Sequence, residues 1–151
     1  MAKFIASGFG SGLVAFAPGT FGSLVALLLA WGMYLYGGVM TIWIAFLLLV
    51  PIAFFAGIES LTVSENKDPS WIVIDEWLGQ WLSLMVVSLF FPLDFALFAG
   101  SFVCFRLLDI FKPWPISWAE QCGPAWWTIH ADDLLAGLIA GLGLVLIYSL
   151  L

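Results

Sequence analysis

The sequence predicts an all-α, polytopic integral membrane protein of about five transmembrane helices, preceded by a glycine-rich re-entrant segment. Three observations carry that expectation. The 151 residues are 64% hydrophobic and only 9% charged, with nine Trp and fourteen Phe. Mean hydropathy is +1.12, well above what a soluble domain of this size carries. Several apolar runs approach the roughly 20 residues that cross a ~30 Å hydrocarbon core. The length suits one domain spanning residues 1–151.

Each element follows from local chemistry. Residues 4–17 are apolar but interrupted by Gly8, Gly10 and Gly12 and closed by Pro18-Gly19. That composition suits an irregular or re-entrant segment packed within protein. Ala15-Phe16-Ala17 superficially matches a signal-cleavage site, but the glycines and Pro18 argue for mature protein. Thr20 offers an N-cap for a first helix over 21–36. Gly37-Gly38 breaks the chain, and a second helix covers 39–58, interrupted by Pro51. A polar loop fills 59–70. A third helix is expected over 72–91 and a fourth over 95–111, ended by Pro113 and Pro115. The loop 112–131 carries Trp114, Trp118, Trp126 and Trp127, which fits an interfacial aromatic belt. The last helix starts at Asp132 or Asp133 and runs to the C-terminus.

The basic residues orient this arrangement. With five spans and a cytoplasmic N-terminus, Lys3, Lys67, Arg106 and Lys112 all fall on the cytoplasmic side. Nine of the ten carboxylates join them, and only Asp94 lies opposite. A net charge of −6 with four basic residues excludes nucleic acid as a partner. Cys104 and Cys122 are too few for a disulfide framework and lack zinc spacing.

The chemistry gathers in two acidic doublets, Asp75-Glu76 and Asp132-Asp133, each at the start of an apolar run. A carboxylate near hydrocarbon costs several kcal/mol unless it is paired, solvated or metal-bound. Helix-start acids also gain a few tenths to one kcal/mol from the macrodipole, which explains one exposed acid better than two doublets on one face. A divalent cation accounts for both, because Mg²⁺ takes hard oxygen ligands together with substrate phosphates. On the fourth helix, Arg106, Asp109 and Lys112 stand at i, i+3 and i+6. They form either a structural ion-pair ladder or a base flanked by phosphate-binding cations. Other phosphatase chemistries lack their residues: there is no Cys-x5-Arg loop, no Asp-x-Asp pair, and His130 is the single histidine. His130 reads as a loop residue. The Asp-Gly-x2-Ala-Arg pattern of CDP-alcohol phosphotransferases is also missing.

Four motifs occur in order: Ser7-Gly-Phe-Gly-Ser-Gly-Leu13 with Pro18-Gly-Thr20; Ile72-Val-Ile-Asp-Glu76 with Gly79-Gln80; Phe105-Arg-Leu-Leu-Asp-Ile-Phe-Lys-Pro-Trp-Pro-Ile116; and Asp132-Asp-Leu-Leu-Ala-Gly137. Together they resemble the phosphatidylglycerophosphatase A family over almost the whole chain. The resemblance implies a multi-pass protein of the bacterial inner membrane with a cytoplasmic active face. It further implies a Mg²⁺-dependent lipid phosphatase that converts phosphatidylglycerophosphate to phosphatidylglycerol and phosphate. It gives weight to Asp75, Glu76, Arg106, Asp109, Lys112, Asp132 and Asp133, and less to Gly19 and Thr20, without assigning roles. Where the family has a glycine-rich segment before the Asp-Asp pair, this chain reads Ala125-Trp-Trp-Thr-Ile-His-Ala131, whose bulk bears on substrate access and headgroup choice.

These considerations assign Asp75, Glu76, Asp132 and Asp133 to a metal (Mg²⁺, or Mn²⁺ in its place). Asp109 orients the attacking water or forms a phosphoenzyme. Lys112 assists catalysis and binds substrate with Arg106, Gly19 and Thr20. The expected partner is a phospholipid in the bilayer; oligomeric state is not legible. The competing class is an ion- or proton-coupled transporter, whose acids would lie near the bilayer midplane on broken helices. Whether Glu59, Asp68 or Glu120 joins the site is left open.

Overall fold

The computed structural model describes residues 1–63 and 69–150, and every described element is helical. Lys67 and Asp68 lie outside the described residues. The order is α1 (Ala2–Ala6), a 3-10 turn (Ser11–Leu13), α2 (Pro18–Gly37), α3 (Val39–Val63), α4 (Ile74–Ser88), α5 (Phe95–Phe111), α6 (Ile116–Ala119) and α7 (Ala125–Ser149). Three of these, α2, α3 and α7, are long and apolar enough to cross a membrane. The chain is a membrane protein.

Helix α2 begins three residues before the expected start, with Pro18 in its first turn and Ala17 as N-cap. Proline suits that position because its missing N–H has no intrahelical partner to lose. Thr20 is therefore inside the helix rather than capping it, and its hydroxyl is free for a tertiary contact. Gly38 ends α2 at φ 68°, its N–H donating to Tyr34 O at 2.9 Å. Helix α3 continues straight through Pro51 and past Glu59, which had been expected in the loop. Neighbouring helices and local adjustment make an internal proline tolerable in such a span.

The outward faces of α2 and α3 are large and apolar, with Leu28, Leu35, Leu47, Leu48 and Phe55 exposed. The inward face of α2 is small, with Gly22, Ser23, Ala26 and Ala30, and that of α3 is small only toward its end, where Ala53 and Ala56 follow Ile42, Phe46 and Leu49. Without a hydrophobic drive between helices in lipid, small residues let backbones approach closely. They close around α4, which packs against α2, α3, α5 and α7. Helix α4 is buried on nearly every side, from Ile74 and Asp75 to Val87. It is the axis of the bundle, shorter than the expected 72–91.

The closest packing lies between α4 and α7. A Cβ on Gly137 would run into the carbonyl of Gly79, and one on Gly79 would meet Asp133 O at 2.6 Å and Phe105 at 2.5 Å. One turn further, a Cβ on Gly141 would lie 2.7 Å from Val86 Cβ and 2.8 Å from Ser83 O. Asp75 and Glu76 precede Gly79 by about one turn, and Asp133 precedes Gly137 by one turn. The glycine crossing thus draws the two acidic doublets to one level.

Helix α7 is the main departure from expectation. It starts at Ala125, not at Asp132, so the Asp-Asp pair and His130 are two turns inside it. The residues 125–131 continue the buried stripe Ile129, Asp133, Ala136, Gly137, Ala140, Gly141, Leu144, and that burial outweighs the modest helix propensity of Trp, Thr and Ile. The macrodipole account consequently holds only for Asp75 and Glu76, in the first turn of α4. His130 is a buried helix residue packed on Phe54, with ring centroids 4.4 Å apart, and not a loop residue.

The N-terminal segment folds over the start of α4. Val73 N donates to Ala6 O at 2.9 Å, and Lys3 lies over the Trp71 ring at 5.1 Å. Gly12 is needed there, since a Cβ would strike the Trp71 carbonyl.

Candidate active site

A cavity of about 590 Å³ opens at the end of the bundle where α4 and α7 begin and α5 ends. Among the described residues six carboxylates line it, those of Asp75, Glu76, Asp109, Glu120, Asp132 and Asp133, against the ammonium of Lys112. Asp75, Asp132 and Asp133 are buried. One carboxylate oxygen from each of Asp75, Glu76 and Asp133 lies within 4.8 Å of the others. Like charges at 4 Å cost about 4 kcal/mol per pair at an effective dielectric near 20, a repulsion that a cation placed among the three would offset.

The donor set fits one. All donors are hard oxygens, the kind that Mg²⁺ and Mn²⁺ take. Glu76 Oε2 and Asp132 Oδ1 are buried acceptors without a hydrogen-bond partner, a costly state that a cation or its water relieves. Asp132 stands beside the three rather than among them. Its Oδ2 accepts from Lys112 Nζ at 2.7 Å, and its Oδ1 is left without a partner.

Lys112 is the C-cap of α5 at φ 42°. It is therefore past the helix end, and the i, i+3, i+6 ladder read from sequence stops at Asp109. The left-handed conformation, uncommon for a residue with a Cβ, turns the side chain back toward α7. Nζ donates to Asp132 and also to Glu120 Oε1 at 2.8 Å. Partial burial works against the charged form, but the hydrogen bonds that the ammonium donates to these two carboxylates prevail and hold it above the ordinary lysine range.

Arg106 does not line the cavity. Its guanidinium pairs with Asp109 and donates to Thr20 Oγ1 at 3.2 Å and Ser23 Oγ at 3.3 Å. Ser23 in turn donates to Gly19 O at 2.8 Å. Gly19 backs directly onto Glu76, for a Cβ there would collide with its carboxylate. Arg106, Thr20 and Gly19 thus form a support behind Glu76 and Asp109. Ser23 belongs to that support and was missed by sequence reasoning; its place four residues after Gly19 on the small inward face of α2 was the available signal. Glu120, left open by sequence, lines the cavity, whereas Glu59 is exposed on α3.

Fold and site together define a helical membrane protein with a carboxylate-lined cavity at one end of its bundle. Comparison with known proteins gives it a family. The phosphatidylglycerophosphatase A family model matches residues 4–148. Over 143 residues the chain is 36% identical to phosphatidylglycerophosphatase A of Escherichia coli (strain K12), covering 90% of this chain and 77% of that one. It is 32% identical over 140 residues to phosphatidylglycerophosphatase A of Haemophilus influenzae, covering 90% and 82%. A Bacteroides thetaiotaomicron protein with the provisional name phosphatidylinositol-3-phosphatase is 35% identical over 140 residues, covering 89% and 85%. No solved structure matches the chain. The chain belongs to the phosphatidylglycerophosphatase A family and is a phosphoric monoester hydrolase.

Proposed function

We propose that this chain hydrolyses the terminal phosphomonoester of phosphatidylglycerophosphate, in a Mg²⁺-dependent reaction at the cytoplasmic face of a bacterial inner membrane. The observation that carries this reading is the cavity lining, where six carboxylates face one ammonium among the described residues. Such a wall repels a phosphate dianion until cations neutralise it. The names of the Escherichia coli and Haemophilus influenzae relatives supply the headgroup.

Asp75, Glu76 and Asp133 would hold the metal, with Asp132 supplying its free oxygen. A bound Mg²⁺ supplies Lewis-acid polarisation of the phosphoryl group. The chain's own residues divide the remaining work. Lys112, the cation on the cavity wall among the described residues, receives the phosphate. Asp109, held by Arg106, either orients the attacking water or takes the phosphoryl group itself. Arg106 acts through Asp109 and the start of α2, which replaces its expected role as a phosphate clamp.

The same reading sets the membrane placement of a single domain over residues 1–151. Helices α4 and α5, with 15 and 17 residues, are about 22 and 26 Å long and complete five spans because protein surrounds α4. About 20 Å of α4 and 24 Å of α7 remains beyond the level of Asp75 and Asp133, which sets the acids off the midplane of a ~30 Å core, toward the end where both helices begin. That placement favours a lipid phosphatase over a transporter. The N-terminal segment is the re-entrant piece that caps the acidic end.

The test is phosphate release by detergent-purified protein from phosphatidylglycerophosphate and, side by side, from phosphatidylinositol 3-phosphate, each with Mg²⁺ and with EDTA. Release from the first substrate, abolished by EDTA, is expected. Preference for the inositol lipid would reassign the headgroup, and release unaffected by EDTA would remove the metal.

A further inference from the structure

Lys112 has two carboxylate partners of unequal character. Asp132 is fixed on α7 with its side chain 8% exposed; Glu120 follows the four-residue α6 with its side chain 43% exposed. The segment after Glu120 passes through Gly123 at φ 130°, a conformation that glycine adopts without strain. Because Arg106 is turned away, Lys112 is, among the described residues, the cation that an entering phosphate meets. That cation is matched by carboxylate oxygens at 2.7 and 2.8 Å.

We propose that Glu120 is a displaceable stand-in for the substrate's phosphate: its carboxylate occupies the anion seat on Lys112 and gives it up when phosphate enters. The proposal rests on the phosphatase reading and adds a positioning residue to it. Of the two partners, Glu120 is the one that yields, since its side chain reaches water, while Asp132 would be left a buried, unpaired charge. A phosphate oxygen then takes the 2.8 Å position that Glu120 Oε1 held. No bond is made or broken in this exchange. After hydrolysis, Glu120 returns to Lys112 and competes with the inorganic phosphate product, which shortens its stay. An internal competitor weakens the binding of substrate and product by the same factor.

Calorimetric titration of inorganic phosphate into detergent-purified protein with Mg²⁺ tests this without relying on turnover of any lipid. Glu120→Gln should bind phosphate about three- to five-fold more tightly than the wild type, the scale of a half-exposed ion pair. KM for the lipid should fall by a similar factor. In a Lys112→Gln background the same substitution should change phosphate affinity less than two-fold, since the contested cation is gone. Glu120→Asp, which keeps the charge but shortens the reach, should also bind more tightly than the wild type and serves if the double variant does not fold. Unchanged or weaker binding by Glu120→Gln, an equal gain without Lys112, or wild-type affinity in Glu120→Asp would each overturn the proposal, as would absence of phosphate binding in all variants. Failure to hydrolyse phosphatidylglycerophosphate, with these affinities as expected, would instead remove the substrate assignment alone.

Discussion

The two ends of the helical bundle treat carboxylates in opposite ways. At one end, Asp75, Glu76, Asp132 and Asp133 crowd into a cavity, two of their oxygens have no partner, and Lys112 is held in a left-handed conformation. At the other, Asp94 stands alone in water. Its Oδ1 accepts from Leu97 N at 2.8 Å as the N-cap of α5, and its Oδ2 accepts from Tyr148 OH at 3.1 Å. A second cavity of about 340 Å³ on that side is lined by Tyr34, Phe90, Phe91, Leu93 and other residues, with no ionisable acid among them. A carboxylate that stabilises the fold is satisfied by neighbours that do nothing else. The cavity's carboxylates are instead left with oxygens in want of a partner, a state that a cation from outside the chain would relieve.

Substitutions should therefore separate activity from stability by location. The largest effect is expected at Asp109. Asp109→Asn should lower kcat by at least ~10²-fold, the scale of losing a general base or nucleophile, with no recovery at high metal concentration. Asp133→Asn should also lower the rate, but added Mg²⁺ or Mn²⁺ should restore part of it. Metal-free Asp133→Asn should melt no lower than metal-free wild type, because one member of a repelling cluster has been neutralised. Rescue of Asp109→Asn by metal, with Asp133→Asn left unrescued, would show the two roles reversed.

A smaller effect, shared between activity and stability, is expected where α4 and α7 cross. The added methyl of Gly137→Ala meets backbone, not a movable side chain, so the helices must part. Overpacking of this kind costs about 1–3 kcal/mol, and Asp133 moves away from Asp75 and Glu76 with it. Thermal melting and metal titration of the same variant should both weaken. A stable variant with normal metal affinity would mean that the crossing does not set the spacing of the acids.

What could be read from sequence follows the same division. The apolar runs, their breaks at Gly37-Gly38 and Pro92, and the two doublets were legible because composition and local spacing determine them. The pairing of Arg106 with Asp109 followed from i, i+3 spacing. The reach of Lys112 did not, since helical spacing says nothing once the helix has ended at that residue. Trp126 and Trp127 hid the start of α7, as interfacial tryptophans suit a loop and a helix equally. Neither the Gly79–Gly137 contact nor the turn of Arg106 toward Thr20 and Ser23 was legible, for each requires knowing which helices are neighbours.

The smallest effect belongs to Asp94, and it sharpens the contrast between the ends. Asp94→Ala removes the cap of α5 and should lower the melting temperature slightly while leaving phosphate release unchanged. Its pH dependence identifies the cause. The backbone N–H of Leu97 and then the Tyr148 hydroxyl favour the ionised form, so the Asp94 carboxyl lies below the ordinary carboxylate value. A group whose folded pKa is depressed stabilises the fold fully above its unfolded value, about 3.9, and loses that contribution as pH falls through the folded pKa. The difference in melting temperature between wild type and Asp94→Ala should accordingly stay constant from pH 8 to pH 5 and close below about pH 4. Titration of the buried acids at the other end occurs in both proteins and cancels from the difference. A gap that widens toward acid, or a loss of activity in Asp94→Ala, would mean that this carboxylate is tied to the distant cluster after all.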